Sequence, residues 1–277
     1  MPENLIPLVQ YKVKSDNLSL HFHEEYEILF VTDGMIEITV NNKAIIAQKG
    51  DVIFLNTYES HYTKVLKTPY KRYVLMLSPD ILEKKIIDLN LLGIFKKRTA
   101  DFKFCLHFND QGIIKSFIEM IIKEVQKGQS DEYSEKVQLM LVEHILITAL
   151  RKQRDDMMIY NSDDDINVVR LIFKVQSFLD DHFSENLRIS DISQQFHISV
   201  PYFSSCFKQH VGQSPKKYLM QLRLNAASHK LTHTSESIID IAYSVGFADV
   251  NNFIRRFKET FNLTPSQFRK IYTAGGD

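Results

Sequence analysis

The first third of the chain has the pattern of β-strands, with short apolar runs separated by turn-forming residues. Residues 35–40 alternate between apolar and polar positions, as a half-buried strand does. Turn signals recur between such runs, at Asp33-Gly34, Asn41-Asn42, Lys49-Gly50-Asp51 and Asn56. Strands so short and so closely spaced predict a small barrel or sandwich, with strands over residues 18–77 and a barrel over about residues 1–77.

The pattern changes at Ser78-Pro79-Asp80, which is typical of a helix start. Apolar residues then recur at helical spacing in two long segments, about 113–125 and 132–151. The second segment is apolar on nearly all sides, so it must be buried against the barrel, a neighbouring helix or another subunit. We therefore predict bracing and dimerising helices over about residues 78–155, which complete an N-terminal domain of residues 1–155.

A polar, charge-blocked stretch follows and marks a domain boundary. It contains the run Asp163-Asp164-Asp165, and a new amphipathic helix begins near Ile166. Such composition is typical of linkers, so residues 156–166 are predicted to join the two domains. The second domain then covers residues 167–277.

This second domain contains an internal repeat. Phe203 and Phe207 recur 50 residues later as Phe253 and Phe257, and Pro215 recurs as Pro265. Each copy predicts a short helix, at 191–196 and 238–245, then a tight turn and a second helix. The second helices are expected to begin after the N-caps Ser199 and Asp249, and Gly246 suits the turn because positive φ costs glycine little. The repeat predicts two helix-turn-helix units, joined by a helix over about 215–231.

The faces opposite the phenylalanines are polar and therefore available to DNA. In a helix-turn-helix the second helix enters the major groove, where Arg can bond guanine and Asn can bond adenine. The predicted DNA-binding residues of the first unit are Pro201, Ser204, Ser205 and Lys208. Those of the second unit are Asn251, Asn252, Arg255, Arg256 and Lys258. Because the second set is richer in base-reading side chains, we expect the second unit to read bases at least as strongly as the first.

The C-terminal sequence resembles the arabinose-regulator (AraC/XylS) family. The resemblance rests on "SVPYFSSCFKQHVGQSPKKYLMQLRLNAASHKL" and "SIIDIAYSVGFADVNNFIRRFKETFNLTPSQFRK" and covers roughly residues 170–272. It implies that Pro201, Ser204 and Ser205 of the first recognition helix read bases, as do Asn251, Asn252 and Arg255 of the second. The sequence departs from the family at Asn262, where many members have Gly. Asn tolerates the left-handed conformation, so the turn is expected to survive.

Four residues of the N-terminal half resemble the ligand set of cupin barrels. His21, His23 and Glu27 follow an H-x-H-x3-E pattern, and His61 comes after the next turn signals. In cupins three His and one Glu hold a metal, and imidazole with carboxylate suits iron, manganese, nickel or zinc. Regulators of this family often carry a cupin-like domain that senses a small molecule instead. We therefore assign these four residues and Glu25 to an effector pocket, with no metal, cofactor or catalytic residue expected.

Four tyrosines of the same half can stack on a sugar, although packing is the ordinary role of each. They are Tyr58, Tyr62, Tyr70 and Tyr73.

Composition and charge agree with a two-domain regulator. The net charge of the 277-residue chain is zero, but residues 167–277 carry a net charge of +4 and residues 1–166 a net charge of −4. The two cysteines, Cys105 and Cys206, fit a reducing compartment, and the sequence has neither a signal-peptide pattern nor a long uncharged apolar run. We expect a cytoplasmic homodimer that binds promoter DNA, RNA polymerase and a small polar effector such as a carbohydrate.

The sequence thus predicts a two-domain α+β protein, with an N-terminal cupin-like β-barrel flanked by helices and a C-terminal all-α double helix-turn-helix domain. The predicted function is sequence-specific regulation of transcription, not catalysis. Two alternatives stay open. The barrel is a metal-binding or enzymatic cupin fused to a DNA-binding domain, or it only dimerises a ligand-independent regulator.

Overall fold

The computed structural model describes residues 4–41, 43–99, 103–127, 131–157 and 166–273. The chain divides into two compact units, residues 1–170 and 171–277, each of which is described by itself. Most of the predicted linker, at 158–165, lies outside the described residues, between helices that end at Met157 and begin at Ile166. No described helix is both long enough and apolar enough to cross a membrane.

The described part of the first unit is built on a seven-stranded antiparallel sheet. The strands are β1 (Leu8–Lys14), β2 (Leu18–His21), β3 (Tyr26–Val40), β4 (Lys43–Gln48), β5 (Asp51–Leu55), β6 (His61–Leu77) and β7 (Cys105–His107). Their order is β1-β6-β3-β5-β7, with β2 also pairing with β6 and β4 with β3. The two longest strands, β3 and β6, pair along their whole length, from Tyr26 opposite Leu77 to Val40 opposite His61.

A bend in β3 and β6 folds this sheet back on itself. The first half of β3 pairs with β5 and its second half with β4, with register irregularities between Val31 and Ile36. Gly34 lies at this bend with φ +84, and a Cβ there would lie 2.7 Å from the carbonyl oxygens of Lys67 and Pro69. Glycine is therefore required where the two long strands bend against each other. We call the folded sheet, β1 to β7, the barrel.

The barrel has an apolar core on each of its two faces. The inner core takes side chains from both halves of the sheet: Leu29, Val31, Ile36, Ile38, Val40, Ala47, Ile53, Leu55, Tyr70, Val74 and Phe104. The alternate residues of β3, such as Ile28 and Phe30, belong to a second core shared with the helices. This alternation follows from the two-residue period of a strand, and it places Glu27 and Arg72 on the inner face.

The helices of the first unit are α1 (Pro79–Lys85), a 3-10 helix (Leu89–Leu92), α2 (Gly93–Lys96), α3 (Gln111–Lys127) and α4 (Ser134–Met157). The segment predicted to be apolar on nearly all sides lies within α4, whose Val142, Ile145 and Leu146 are fully buried in the core shared with the sheet. Burial among neighbouring elements thus accounts for part of its apolar surface.

Two strands lie outside the predicted strand region. β7 falls within the segment predicted as helices, and this prediction was wrong for Cys105–His107, which pairs with β5. Three residues are too few for any periodicity to show, and their extended conformation depends on β5 supplying the ladder. β1 precedes residue 18, where the strand prediction began, although it lies within the predicted barrel limits.

The second unit is entirely helical in its described part. Its helices are α5 (Ile166–His182), whose first five residues precede the unit boundary, α6 (Ile189–Gln195), α7 (Val200–Val211), α8 (Pro215–His233), α9 (Ile238–Ser244), α10 (Val250–Phe261) and α11 (Pro265–Thr273). The α6–α7 and α9–α10 pairs are the two predicted helix-turn-helix units, with boundaries that differ from prediction by one or two residues. The predicted fold class, an α+β N-terminal domain and an all-α C-terminal domain, is confirmed.

The ends of the recognition helices follow the predicted cap chemistry. The side chains of Ser199 and Asp249 accept hydrogen bonds from backbone N–H groups in the first turns of α7 and α10. At the other ends, Gly212 and Asn262 adopt the left-handed conformation, with φ 85 and 58. The expectation that Asn262 tolerates the left-handed conformation, so that the turn survives, is therefore confirmed.

One arginine follows each helix-turn-helix unit and bonds near the end of the helix that precedes that unit. Arg223 of α8 donates to the carbonyls of Phe183 and Glu185, just after α5. Arg269 of α11 donates to the carbonyls of Leu231 and Glu236, around the end of α8. These side chains satisfy carbonyl groups that a helix end leaves without intrahelical partners, so their role is structural.

Candidate DNA interface and effector site

The outer face of α10 carries the predicted base-reading residues. Phe253 and Phe257 are fully buried, and Arg255 lies two residues from each of them. At 3.6 residues per turn, this spacing places Arg255 on the opposite side of the helix, where 57% of its side chain is exposed. Asn251, one turn earlier on the same face, is also exposed. The packing that anchors α10 thus turns Arg255 and Asn251 outward.

Glu259, which was not among the predicted site residues, holds the two arginines of this face. The Arg255 guanidinium donates to Glu259 at 3.0 Å and to the side-chain oxygen of Asn252 at 3.0 Å. Arg256 donates to the other oxygen of Glu259 at 3.1 Å. Exposed ion pairs of this kind contribute little stability, so DNA can replace Glu259 as the partner of both arginines. The spacing of Glu259 from Arg256 (i,i+3) and from Arg255 (i,i+4) would have indicated these ion pairs from the sequence.

The outer face of α7 is built in the same way but with smaller side chains. Ser205 lies two residues from the buried Phe203 and Phe207 and is the counterpart of Arg255. Pro201 and Lys208 are exposed, whereas Ser204 lies at the flank and is half-buried. The structure also exposes two residues that were not predicted, Tyr202 and Gln209, which stand 50 positions before Asn252 and Glu259. Applying the repeat spacing to the whole face would have selected both.

In the first unit, the loop before β3 and the start of β6 bring histidines together around Glu27. The Nδ1 atom of His23 donates to the Glu25 carbonyl at 2.8 Å, and its Nε2 atom lies 3.0 Å from Glu27 Oε2. The His61 ring donates from Nδ1 to the Glu59 carbonyl at 2.8 Å and lies 3.5 Å from the same Glu27 oxygen. Both rings therefore direct Nε2 at one carboxylate oxygen on the inner face of the barrel.

The other two predicted effector residues lie around this group. The His21 ring packs against His61 with their centroids 4.2 Å apart, and the Glu25 carboxylate lies 4.0 Å from His23 Nδ1. The side chain of His61 is also held in place by its own loop. There Glu59 accepts from the Asn56 backbone at 2.8 Å and from the Arg98 guanidinium at 2.6 and 2.7 Å.

Comparison with known proteins agrees with both units. Residues 14–142 match the model of the AraC-like ligand binding domain, and residues 192–271 match a helix-turn-helix domain model. The chain belongs to the AraC family of transcription regulators. Family members are regulators and not enzymes, as the sequence analysis expected.

Similar proteins cover nearly the whole of this AraC-family chain. The HTH-type transcriptional activator RhaS of Enterobacter sp. (strain 638) is 27% identical over 90% of this chain and 87% of its own length. The RhaS protein of Escherichia coli O81 (strain ED1a) is 28% identical with the same coverage. Among solved structures, fatty acid-bound ToxT from Vibrio cholerae has the same two-domain fold, with a TM-score of 0.54, 16% identity and full coverage of both chains.

The electrostatics of the AraC-family barrel concentrate on Glu27. Burial opposes its ionisation, but the hydrogen bond from His23 and electrostatic interaction with the surrounding histidines lower the pKa of Glu27 to about 2. Burial and the charge of His21 lower the pKa of His61 to about 3, against the opposing effect of Glu27. Burial also acts to lower the pKa of His23, but its hydrogen bond to Glu27 raises it above the ordinary value. Glu27 is therefore ionised, His61 is neutral, and His23 is the ring that most readily carries a proton.

This arrangement has two possible chemical uses. As a hydrogen-bonded network, it presents ring edges and carboxylate oxygens to a polar ligand. As a metal centre, it offers His23, Glu27 and His61, whose ligand atoms all lie within 4.8 Å of one another. Metal-binding histidines commonly donate their second ring nitrogen to a carbonyl, as both rings do here. His21, the fourth predicted ligand, is not part of that close group among the described residues.

Proposed function

We propose that the C-terminal unit binds promoter DNA by placing α7 and α10 in successive major grooves. Support comes from the exposure of Asn251 and Arg255 on α10, opposite the buried phenylalanine pair. Arg255 is assigned to bidentate bonding of guanine, and Asn251 and Asn252 to adenine. On α7, Pro201, Ser204 and Ser205 make shorter-range contacts, so α10 reads bases at least as strongly. The exposed position of Arg255 is the observation that carries this proposal.

The remaining cations of the two recognition helices have a different role. We assign Lys208, Arg256 and Lys258 to the phosphate backbone, because all three are exposed and none lies at the centre of its outer face. Phosphate contacts position a protein on the duplex but carry no sequence information.

Replacing Lys258 with alanine should weaken binding to operator and unrelated DNA alike. Losing one phosphate contact releases one fewer counterion, so the slope of log K against log salt should become shallower by about 0.9. Fluorescence anisotropy on both DNA sequences over a series of salt concentrations measures this. An unchanged slope, or a loss confined to the operator, would show that Lys258 does not contact phosphate.

The proposed role of the N-terminal barrel is to bind a small polar effector, such as a carbohydrate. The cluster of His23, Glu27 and His61, with Glu27 and His61 buried and the exposed His21 packed against His61, supports this, because it supplies hydrogen-bonding groups on the inner face of the sheet. Glu25 borders the cluster and completes the proposed pocket. Since similar proteins are named transcriptional activators, we further propose that the effector promotes activation through RNA polymerase.

The effector proposal is tested by measuring operator affinity and transcription in vitro while sugars are titrated. A sugar that binds the barrel should change one of the two, because it stabilises one arrangement of the regulator over another. Saturation by a barrel-binding ligand with neither quantity changed would reject effector control.

We also propose that the regulator is a homodimer assembled through its N-terminal unit. Exposed apolar side chains on α3 and α4, among them Ile113, Met120 and Met140, support this assignment. Light scattering of the full chain gives its mass directly, and a monomer at the concentrations that bind DNA would reject the assignment.

A second candidate function is an effector domain that holds a divalent metal. The observation that favours it is the pair of Nε2 atoms aimed at one Glu27 oxygen from 3.0 and 3.5 Å. Ligands of a tetrahedral zinc ion are separated by a similar distance, roughly 3.3 Å. This candidate requires near-stoichiometric metal in protein purified without chelators, and its loss in Glu27→Gln. Elemental analysis that finds no metal in the original protein would leave the hydrogen-bonded network, which the sequence analysis expected.

A further inference from the structure

One buried cation of the barrel has no anionic partner among the residues that the structure describes. Arg72 lies on β6 and is only 5% exposed. It is opposite Val31 of β3 and alternates with Tyr70 and Val74, all three of which belong to the inner core. The alternation of a strand therefore directs the Arg72 side chain into the interior of the barrel, together with the effector cluster.

The guanidinium of Arg72 is left with unused hydrogen-bond donors. In the described part of the chain, its buried Nε and Nη1 atoms have no hydrogen-bond partner, and neither has the phenol oxygen of Tyr70. The guanidinium packs over the Tyr70 ring, 4.7 Å from the ring centroid. This contact orients the cation but does not accept its N–H hydrogens.

Two other cations of the same unit are neutralised, one of them fully buried and the other half-buried. Lys96 lies 2.8 Å from the carboxylate of Glu83, and Arg98 is held by Glu59. An arginine cannot escape burial by losing its proton, and a buried charge without a partner is strongly unfavourable. Glu27 lies on the same inner face, but its carboxylate pairs with His23 and His61. Among the described residues no ion pair neutralises Arg72, so an anion from outside the chain would supply the missing charge.

We propose that Arg72 and Tyr70 bind a carboxylate of the effector, so that the effector is a sugar acid or a related hydroxy acid and not a neutral sugar. This inference rests on the proposed function, in which the barrel binds the effector. The guanidinium donates to the carboxylate in the planar geometry that suits this pair, and the phenol donates a further hydrogen bond. Glu27 and its histidines then face the hydroxyl groups of the same molecule.

A carboxylate is favoured over a phosphate by the local charge. One uncompensated cation balances one negative charge, whereas a phosphate monoester carries nearly two at neutral pH. The Glu27 carboxylate lies on the same inner face and would repel the second charge. Sugar phosphates therefore serve as the comparison ligands in the test.

The test uses the full chain and matched ligand pairs: glucose with glucuronate, galactose with galacturonate, and glucose 6-phosphate for comparison. Calorimetric binding and thermal unfolding are measured for the original protein, for Arg72→Met and Tyr70→Phe, and for the control Lys71→Met. Lys71 is the neighbouring cation, but it is partly exposed and pairs with Asp33. At least one uronate should bind about ten- to a hundred-fold more tightly than its neutral partner.

That advantage should disappear in Arg72→Met, fall in Tyr70→Phe and persist in Lys71→Met. Without ligand, Arg72→Met should unfold at the same or a higher temperature, because an apolar side chain of similar size replaces an uncompensated charge. A large drop in its unfolding temperature would instead show that Arg72 is a structural residue. Uronates that bind no better than the neutral sugars, or a sugar phosphate that binds best, would also overturn the proposal.

The same experiment separates this inference from the proposed function. A neutral sugar that binds and changes operator affinity would leave effector control intact and reject the acid site. An Arg72-dependent uronate that changes neither operator affinity nor transcription would support the acid site and reject effector control.

Discussion

Arg255→Ala is expected to weaken binding to the natural operator by about 1–3 kcal/mol, roughly 5- to 150-fold, and to relax the preference at one base pair. Arg255 lies at the centre of the outer face of α10, where bidentate bonding to guanine would discriminate that base from the other three. The protein should remain folded, because the exposed ion pair with Glu259 contributes little to stability. Binding to operators with each base substituted in turn measures both effects.

Lys258→Ala is the matched control for this prediction. It removes a cation from the same helix, but one assigned to phosphate, so its effect should be the same on all sequences. If Arg255→Ala also weakened every sequence equally, the assignment of Arg255 to base reading would be wrong. A loss of helical circular dichroism in Arg255→Ala would likewise contradict the prediction.

Phe253→Ala is expected to destabilise the second unit by about 3–5 kcal/mol, the usual effect of truncating a buried phenylalanine. Phe253 is fully buried between Phe247 and Phe257, with ring centroids 5.1 and 5.6 Å away. Truncation leaves a cavity beneath α10, so binding should be lost on every DNA sequence. Denaturant unfolding monitored by circular dichroism gives the change in free energy.

Tyr243→Ala provides the control in the same unit. Tyr243 is an aromatic residue of α9 that is 56% exposed, so its truncation should change stability by at most about 0.5 kcal/mol. If Phe253→Ala proved as stable as Tyr243→Ala, the packing of α10 against the phenylalanines would not be what holds the recognition helix in place.

The structure of the second unit was predicted more completely from the sequence than that of the first. In the second unit, the repeat located both recognition helices, their caps and their buried phenylalanines, because each is set by neighbours within one or two helical turns. Within that unit, the turn of the first helix-turn-helix was harder to predict than the turn of the second. His197 adopts a positive φ of 55 in the first turn, whereas Gly246 has φ 92 in the second. Glycine in a sequence indicates such a turn because it adopts positive φ at little cost, whereas histidine gives no comparable indication.

The barrel was predicted less completely. His23, Glu27 and His61 were chosen from motif spacing, and the fold brings them together. Glu259 and Arg72 were not chosen, for different reasons. Glu259 of α10 lies three and four residues after Arg256 and Arg255, so its pairing with them follows from helical spacing. The role of Arg72 in the barrel depends instead on which carboxylates lie within reach of its guanidinium in the folded chain.

The amino-acid sequence by itself determined the two-unit organisation and the double helix-turn-helix. Helix periodicity, caps and the 50-residue repeat are local properties, and family membership follows from the same residues. Only the tertiary structure decided that β7 is a strand, that two histidines direct Nε2 at one Glu27 oxygen, and that Arg72 is buried without a counter-ion among the described residues. Each of these depends on pairing or burial between residues distant in sequence, which the pattern along the chain does not encode.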